Sequence, residues 1–183
     1  SKLLMKDINF NERRIGIIKV LKKMGAKISI NNKRHETNDT IVDITSEYSP
    51  LKPINISGDV ISDLIDELPI LFIVSAACKG VSNINDIGEL RYKESDRINS
   101  MERGLNILGI KTESTQSSIK IYGGDFTGGI VDSYGDHRVA MAFSIAALIS
   151  KKPITILNTD NIATSFPNFI DILAEIGVEL YES

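Results

Sequence analysis

The chain has 183 residues, 42% apolar and 25% charged, which is enough to bury a real core in one globular domain. Its formal net charge of −3 gives no global pull toward nucleic acid or an anionic membrane, so any anion site must be local. No apolar run reaches the length of a membrane span and no secretory leader is legible at Ser1, so the cytoplasm is the expected location.

The stretch VLKKMGAKISI (20–30) predicts an amphipathic helix that stops at Gly25 and continues as a strand. Glycine suits the left-handed residue at a helix C-terminus. The polar run NNKRHETND (31–39) predicts a hairpin loop at the strand end. His35 in that run is expected to be solvated, and two histidines in the whole chain give no basis for a zinc site. Next, ISGDVISDLIDELPILFIVSAACKGVSNI (56–84) predicts a strand or turn ending in an acidic residue, an apolar helix and another strand. Asp66 fits an N-cap before a first turn that contains proline. A helix apolar nearly all round is expected to be buried on all sides. Cys78, the only cysteine, is expected to be an inert buried thiol.

The segment LRYKESDRI (90–98) opens a second amphipathic helix, with apolar residues at Ile98, Met101, Leu105 and Leu108. Lys93 and Arg97 are four apart and are expected on one helix face. LNILGIKTES (105–114) repeats the helix, glycine and strand, with Gly109 as the stop. Gly123-Gly124 and Gly128-Gly129 are expected to flank a hairpin, and no glycine-rich phosphate cradle of the P-loop type is present. VDSYGDHRVAMAFSIAALISKKPITIL (131–157) repeats the acidic turn, the apolar helix and the strand, with Asp136 as a possible N-cap. Ser165 and Pro167 fit the start of a last helix carrying Phe169, Leu173 and Ile176. ILAEIGVELYES (172–183) gives the third helix, glycine and strand, stopped at Gly177.

One element therefore occurs three times and the other twice. The expected architecture is a single α/β domain over residues 1–183, with sheets wrapped around buried helices in pseudo-three-fold packing. One buried helix is lacking. Either the fold closes asymmetrically, or the lacking piece lies on a separate segment.

Singly, the charged motifs have ordinary readings: a solvated face for LRYKESDRI, an N-cap for Asp136 and another for Asp66. Together they point to a site. Cations at helix N-termini oppose the helix dipole, so local stability does not explain Arg97 and Arg138. An anionic ligand does, because backbone N–H groups already favour negative charge there and arginine adds a bidentate fork. Equivalent helix starts in a pseudo-symmetric domain should place Asp66, Lys93, Glu94, Arg97 and Arg138 on one solvent-facing side. Arg97 and Arg138 are expected close together and incompletely paired by protein carboxylates. Such a face suits a ligand bearing phosphate and carboxylate, with carboxylates left for proton transfer.

ELRYKESDRI, YGDHRVAMAFSIAAL and ATSFPNF, with INFNERRIGIIKVLKKMGAKI and ISGDVISDLIDELP before them, resemble the 5-enolpyruvylshikimate-3-phosphate synthase family across nearly the whole chain. The resemblance implies an inside-out α/β barrel of pseudo-three-fold βαβαββ units, one of them incomplete here, from the C-terminal part of a longer two-domain enzyme. It implies enolpyruvyl transfer from phosphoenolpyruvate to shikimate 3-phosphate, without a metal or organic cofactor. By position, Asp66 matches the acceptor of the shikimate 5-hydroxyl proton and Glu94 the donor to the phosphoenolpyruvate methylene carbon. Arg97 and Arg138 match the pair that binds phosphoenolpyruvate. Lys93 matches a phosphoshikimate contact, and Glu89 a substrate-contact position where some members have asparagine. Thr164 stands where some members carry a lysine. The partners implied are the two small-molecule substrates, an N-terminal segment and a second domain of the same enzyme. The isolated chain is then expected to be inactive. The alternatives are a non-catalytic anion-binding half-enzyme that keeps the fold, or a purely structural domain.

Overall fold

The computed structural model describes residues 1–11, 14–36 and 39–181. Strand β1 (Lys2–Asn9) leads through helix α1 (Gly16–Lys23) to β2 (Lys27–Glu36) and β3 (Asp39–Glu47). These strands form an antiparallel sheet in the order β1-β3-β2. The polar run expected as a loop is largely strand. Asn31 pairs with β3 and, after a register shift, so do Arg34, His35 and Glu36, while 37–38 lie outside the described residues. The left-handed Asn32 sits at this bulge and donates from Nδ2 to Asp43 Oδ2 at 2.6 Å. A bulge lets polar residues stay in the ladder that a regular register would break.

The two apolar-helix copies are both βαβ units. In the first, β4 (Asn55–Ile56) leads through the single turn α2 (Asp59–Ser62) and helix α3 (Leu68–Ala77) to β5 (Val81–Asn85). After β5, a 3-10 turn (Gly88–Tyr92) and helix α4 (Arg97–Ile107) lead to β6 (Thr112–Ser114) and β7 (Ser118–Tyr122). The second unit is β8 (Gly129–Asp132), α5 (His137–Ala147) and β9 (Ile154–Leu157). β4 and β5 pair in parallel, as do β8 and β9, and parallel neighbours need a crossover of this kind. The first unit belongs to a sheet of order β4-β5-β7-β6 and the second stands as a two-stranded sheet. The chain between Gly123 and Gly128 is therefore no hairpin: it passes from one sheet to another. Gly123 is needed there because a Cβ would lie 1.5 Å from the Cys78 carbonyl oxygen.

Helices α3, α4 and α5 share one core. Leu68, Leu71, Phe72, Met101, Leu105, Val139, Phe143 and Ala146 are fully buried in it. Gly104 lets α4 approach α5, since a Cβ there would fall 2.1 Å from Phe143 Cζ. Burial of the apolar helices is not complete on all sides. Ile70 of α3 and Met141 and Ile145 of α5 line an open groove of about 180 Å³ with Phe169, and Asp66, Glu67 and Arg138 also line it.

The chain ends with α6 (Asn161–Ser165) and α7 (Phe169–Glu175). Ser165 closes α6 and does not open the next helix. Phe166, before Pro167, is forced out of the helical region, and Asn168 precedes α7. The glycine stops hold in all three copies. Gly25, Gly109 and Gly177 have positive φ. In each, the glycine N–H and the next N–H bond back to carbonyls of the last turn, as Gly109 to Asn106 and Ile110 to Leu105 do. The third copy has no strand after its glycine over residues 178–181. Residues 182–183 lie outside the described residues.

Candidate active site

Arg97 is the first residue of α4 and 1% exposed, so its charge must be met inside the protein. Nε donates to Asp136 Oδ2 at 2.7 Å and Nη2 to Glu94 Oε2 at 2.6 Å. Nη1 reaches Asp66 Oδ1 at 3.5 Å. Arg97 is thus paired more closely than its place at a helix start suggests, by two short ion pairs, while its Nη1 keeps only the long contact to Asp66. A buried guanidinium left unpaired would cost several kcal/mol, and the chain supplies three carboxylates from three different places.

Asp136 is completely buried below the site. Its Oδ1 accepts from the N–H of Arg138 at 2.9 Å and of Val139 at 3.3 Å, so it is the N-cap of α5. Its Oδ2, besides Arg97, accepts from Ser95 Oγ at 3.2 Å. Burial pushes this carboxyl up, but the Arg97 guanidinium and the two N–H groups outweigh it and hold it below the usual carboxylate range. One side chain therefore ties the start of α4 to the start of α5. The sequence marks Asp136 only as a cap. Its second oxygen was the legible signal, since a cap uses one and leaves the other free.

Asp66 lies in a 3-10 turn, Ile65–Glu67, ahead of α3 and does not cap that helix. Glu67 holds the N-cap position and no side-chain cap bond is made. Proline in the first turn of α3 removes one of the N–H groups a cap would meet. Asp66 instead faces both arginines. Arg138 Nη1 donates to its carbonyl oxygen at 2.9 Å, and Arg138 Nη2 stands 3.6 Å from Oδ2. The Asp66, Glu94 and Arg138 side chains are 48%, 52% and 33% exposed. The starts of α3, α4 and α5 so converge on one cluster of Asp66, Glu94, Arg97, Asp136 and Arg138.

Lys93 and Glu89 pair with each other rather than with that cluster. Lys93 has extended backbone before α4, not a helical place beside Arg97. Its ammonium pairs with Glu89, four residues back. The loop between them and α4 is stapled by Arg91, which reaches Asp96 Oδ2 at 2.8 Å and the Gln116 carbonyl at 3.1 Å. Asp96 in turn caps α4 through Asn99 N–H at 3.0 Å. Thr164, on α6, donates from Oγ1 to the Asn161 carbonyl at 3.0 Å. Among the described residues, no group of three or more His, Cys, Asp or Glu side chains is placed to hold a metal ion.

Chemically, the cluster offers a fork of guanidinium N–H groups and two half-exposed carboxylates within reach of it. That combination can orient an anion and move protons on either side of it.

Solved structures place the fold among the enolpyruvyl transferases. The enolpyruvyl transferase NikO from Streptomyces tendae superposes over 100% of this chain and 40% of its own, with a TM-score of 0.74 at 16% identity, a likeness of fold alone. An EPSP synthase from Acinetobacter baumannii superposes with a TM-score of 0.90 at 40% identity, over 95% of this chain and 41% of its own. The family model of EPSP synthase (3-phosphoshikimate 1-carboxyvinyltransferase) matches residues 1–173, and the chain belongs to that family. The 3-phosphoshikimate 1-carboxyvinyltransferase of Ruthia magnifica is 43% identical over 98% of this chain. That of Coxiella burnetii (strain CbuK_Q154) is 42% identical over 94% of it. The chain spans only 42% and 40% of these two relatives.

Proposed function

We propose that this chain carries one wall of an enolpyruvyl-transfer site that works on phosphoenolpyruvate and shikimate 3-phosphate, a step toward chorismate and the aromatic amino acids, in the cytoplasm. The convergence of Arg97 and Arg138 with Asp66 and Glu94 at three helix starts is the observation that supports it most. The names of the relatives support the same reading. Arg138 and Arg97 hold the carboxylate and phosphate of phosphoenolpyruvate. Asp66 takes the proton of the acceptor hydroxyl as its oxygen bonds to the central carbon. Glu94 gives a proton to the methylene carbon, which becomes a methyl group. Elimination reverses the proton movement at that carbon and releases phosphate. Lys93 and Glu89 contact the phosphoshikimate side. Two carboxylates in different surroundings suit the two opposite proton transfers.

The remainder of the enzyme completes the site. The groove between α3 and α5 takes an apolar helix of the same kind from an N-terminal segment, and a second domain supplies the facing wall. A non-catalytic anion-binding half-enzyme is the second reading, favoured by the half exposure of Asp66 and Glu94. Thermal unfolding tests the site common to both. Phosphoenolpyruvate should raise Tm beyond chloride at equal ionic strength, and Arg138→Ala should abolish the difference. An equal rise in wild type and variant would overturn the anion site.

A further inference from the structure

The two arginines do not hold their partners equally. Arg97 uses Nε and Nη2 in bonds of 2.7 and 2.6 Å. Arg138 uses Nη1 in a bond of 2.9 Å to a backbone carbonyl. The remaining terminal nitrogens, Arg97 Nη1 and Arg138 Nη2, are held at 3.5 and 3.6 Å. Both of these loose contacts are made by one group, the Asp66 carboxylate, one oxygen to each arginine. At those lengths the bonds are weak or absent.

We infer that the Asp66 carboxylate is an internal competitor, occupying in the free chain the slot between Arg97 Nη1 and Arg138 Nη2 that a ligand carboxylate or phosphate takes. The inference rests on the proposed anion site and adds how that site is regulated. Two oxygens spanning two guanidinium nitrogens is the geometry by which an external carboxylate or phosphate would bind. The charge balance points the same way. Arg97 and Arg138 face Asp66, Glu94 and Asp136, two cations against three carboxylates. An anion entering without displacing one of them would meet net negative charge. Asp136 is locked by its cap and Glu94 by a short bond. Asp66 is the carboxylate with long contacts, half exposure and a short 3-10 turn beneath it. When the anion enters, Asp66 swings off the guanidinium groups and stands beside the ligand, where a proton acceptor is wanted. Its carbonyl continues to hold Arg138.

The test is isothermal titration of the full 183-residue chain with inorganic phosphate at constant ionic strength, with circular dichroism to verify folding. Asp66→Asn keeps the shape and the carbonyl bond but removes the competing charge. It should bind phosphate about two- to fivefold tighter than wild type, the range of a partly exposed ion pair. Glu67→Gln removes the same charge from the next residue, whose carboxylate forms no ion pair with either arginine, and should change affinity far less. Arg138→Ala added to Asp66→Asn should abolish the gain. Equal tightening by Asp66→Asn and Glu67→Gln would mean long-range charge only and would overturn the inference. Unchanged or weaker binding by Asp66→Asn, with binding still dependent on Arg138, would overturn the inference and leave the anion site standing. No binding to either wild type or Asp66→Asn would overturn both.

Discussion

Asp136 is the residue on which the cluster depends most. It is buried without exposure, caps α5 and neutralises a buried guanidinium 39 positions back in sequence. Removing one partner of such a pair leaves an uncompensated charge, so Asp136→Ala should cost about 3–5 kcal/mol of unfolding free energy. Asp136→Asn keeps a capping oxygen and should cost less, which keeps the comparison usable if the alanine variant does not fold. The carboxyl is held below its usual range in the folded chain. Its contribution is then complete above the unfolded carboxylate pKa and is lost as pH falls through the folded value. Urea unfolding of wild type should weaken as pH drops below about 4, and Asp136→Asn should lose part of that dependence. An identical pH slope in both would show that the pair does not carry it. At this scale the sequence was legible for residue type and position, because cations at helix starts have no local reason to be there. It was silent on which carboxylates pair Arg97, because Asp66 and Asp136 reach it only through the packing of three helices.

At the scale of elements, the three glycine stops were legible because they are local: a left-handed residue and two backward hydrogen bonds need no distant partner. Their surroundings differ, and that difference is testable. Alanine at any of them enters a disfavoured backbone region, at about 1–2 kcal/mol. At Gly177 nothing lies within 4 Å of an added Cβ, whereas at Gly109 it would meet Thr127 Cγ2 at 2.9 Å. Gly109→Ala should therefore lower stability more than Gly177→Ala in equilibrium denaturation, and a reversed order would contradict the packing. Gly104 makes a stronger case. A Cβ there would overlap the buried ring of Phe143, so Gly104→Ala should cost about 1–3 kcal/mol by overpacking. It should also weaken the phosphoenolpyruvate response in thermal unfolding, because α4 and α5 carry Arg97 and Arg138. What was not legible is strand pairing. Two βαβ units can be read from helix patterns, but the passage of 123–128 between sheets and the missing third strand depend on which ladders are available. The bulge that keeps polar residues 31–36 in β2 is likewise a property of the sheet.

For the whole molecule, the open groove and the charged cluster adjoin, since Asp66 and Arg138 belong to both. An enolpyruvyl transfer has to bring an acceptor hydroxyl, an alkene carbon and two proton-transfer groups into line while excluding water. Fixing reactants in that way is worth roughly 7–11 kcal/mol of barrier. Here Asp66 and Glu94 are each about half exposed, so water reaches the groups that would have to hold and pass the protons. On the proposed reading this wall orients the anion, and a facing wall is needed to exclude water from it. The purified chain, given phosphoenolpyruvate and shikimate 3-phosphate, should therefore release no phosphate above the rate without protein, even where titration finds phosphoenolpyruvate bound through Arg138. Release that requires both substrates and vanishes in Glu94→Gln would show that one wall is enough for catalysis. It would remove the need for the complementary segment and second domain in the reading of this site.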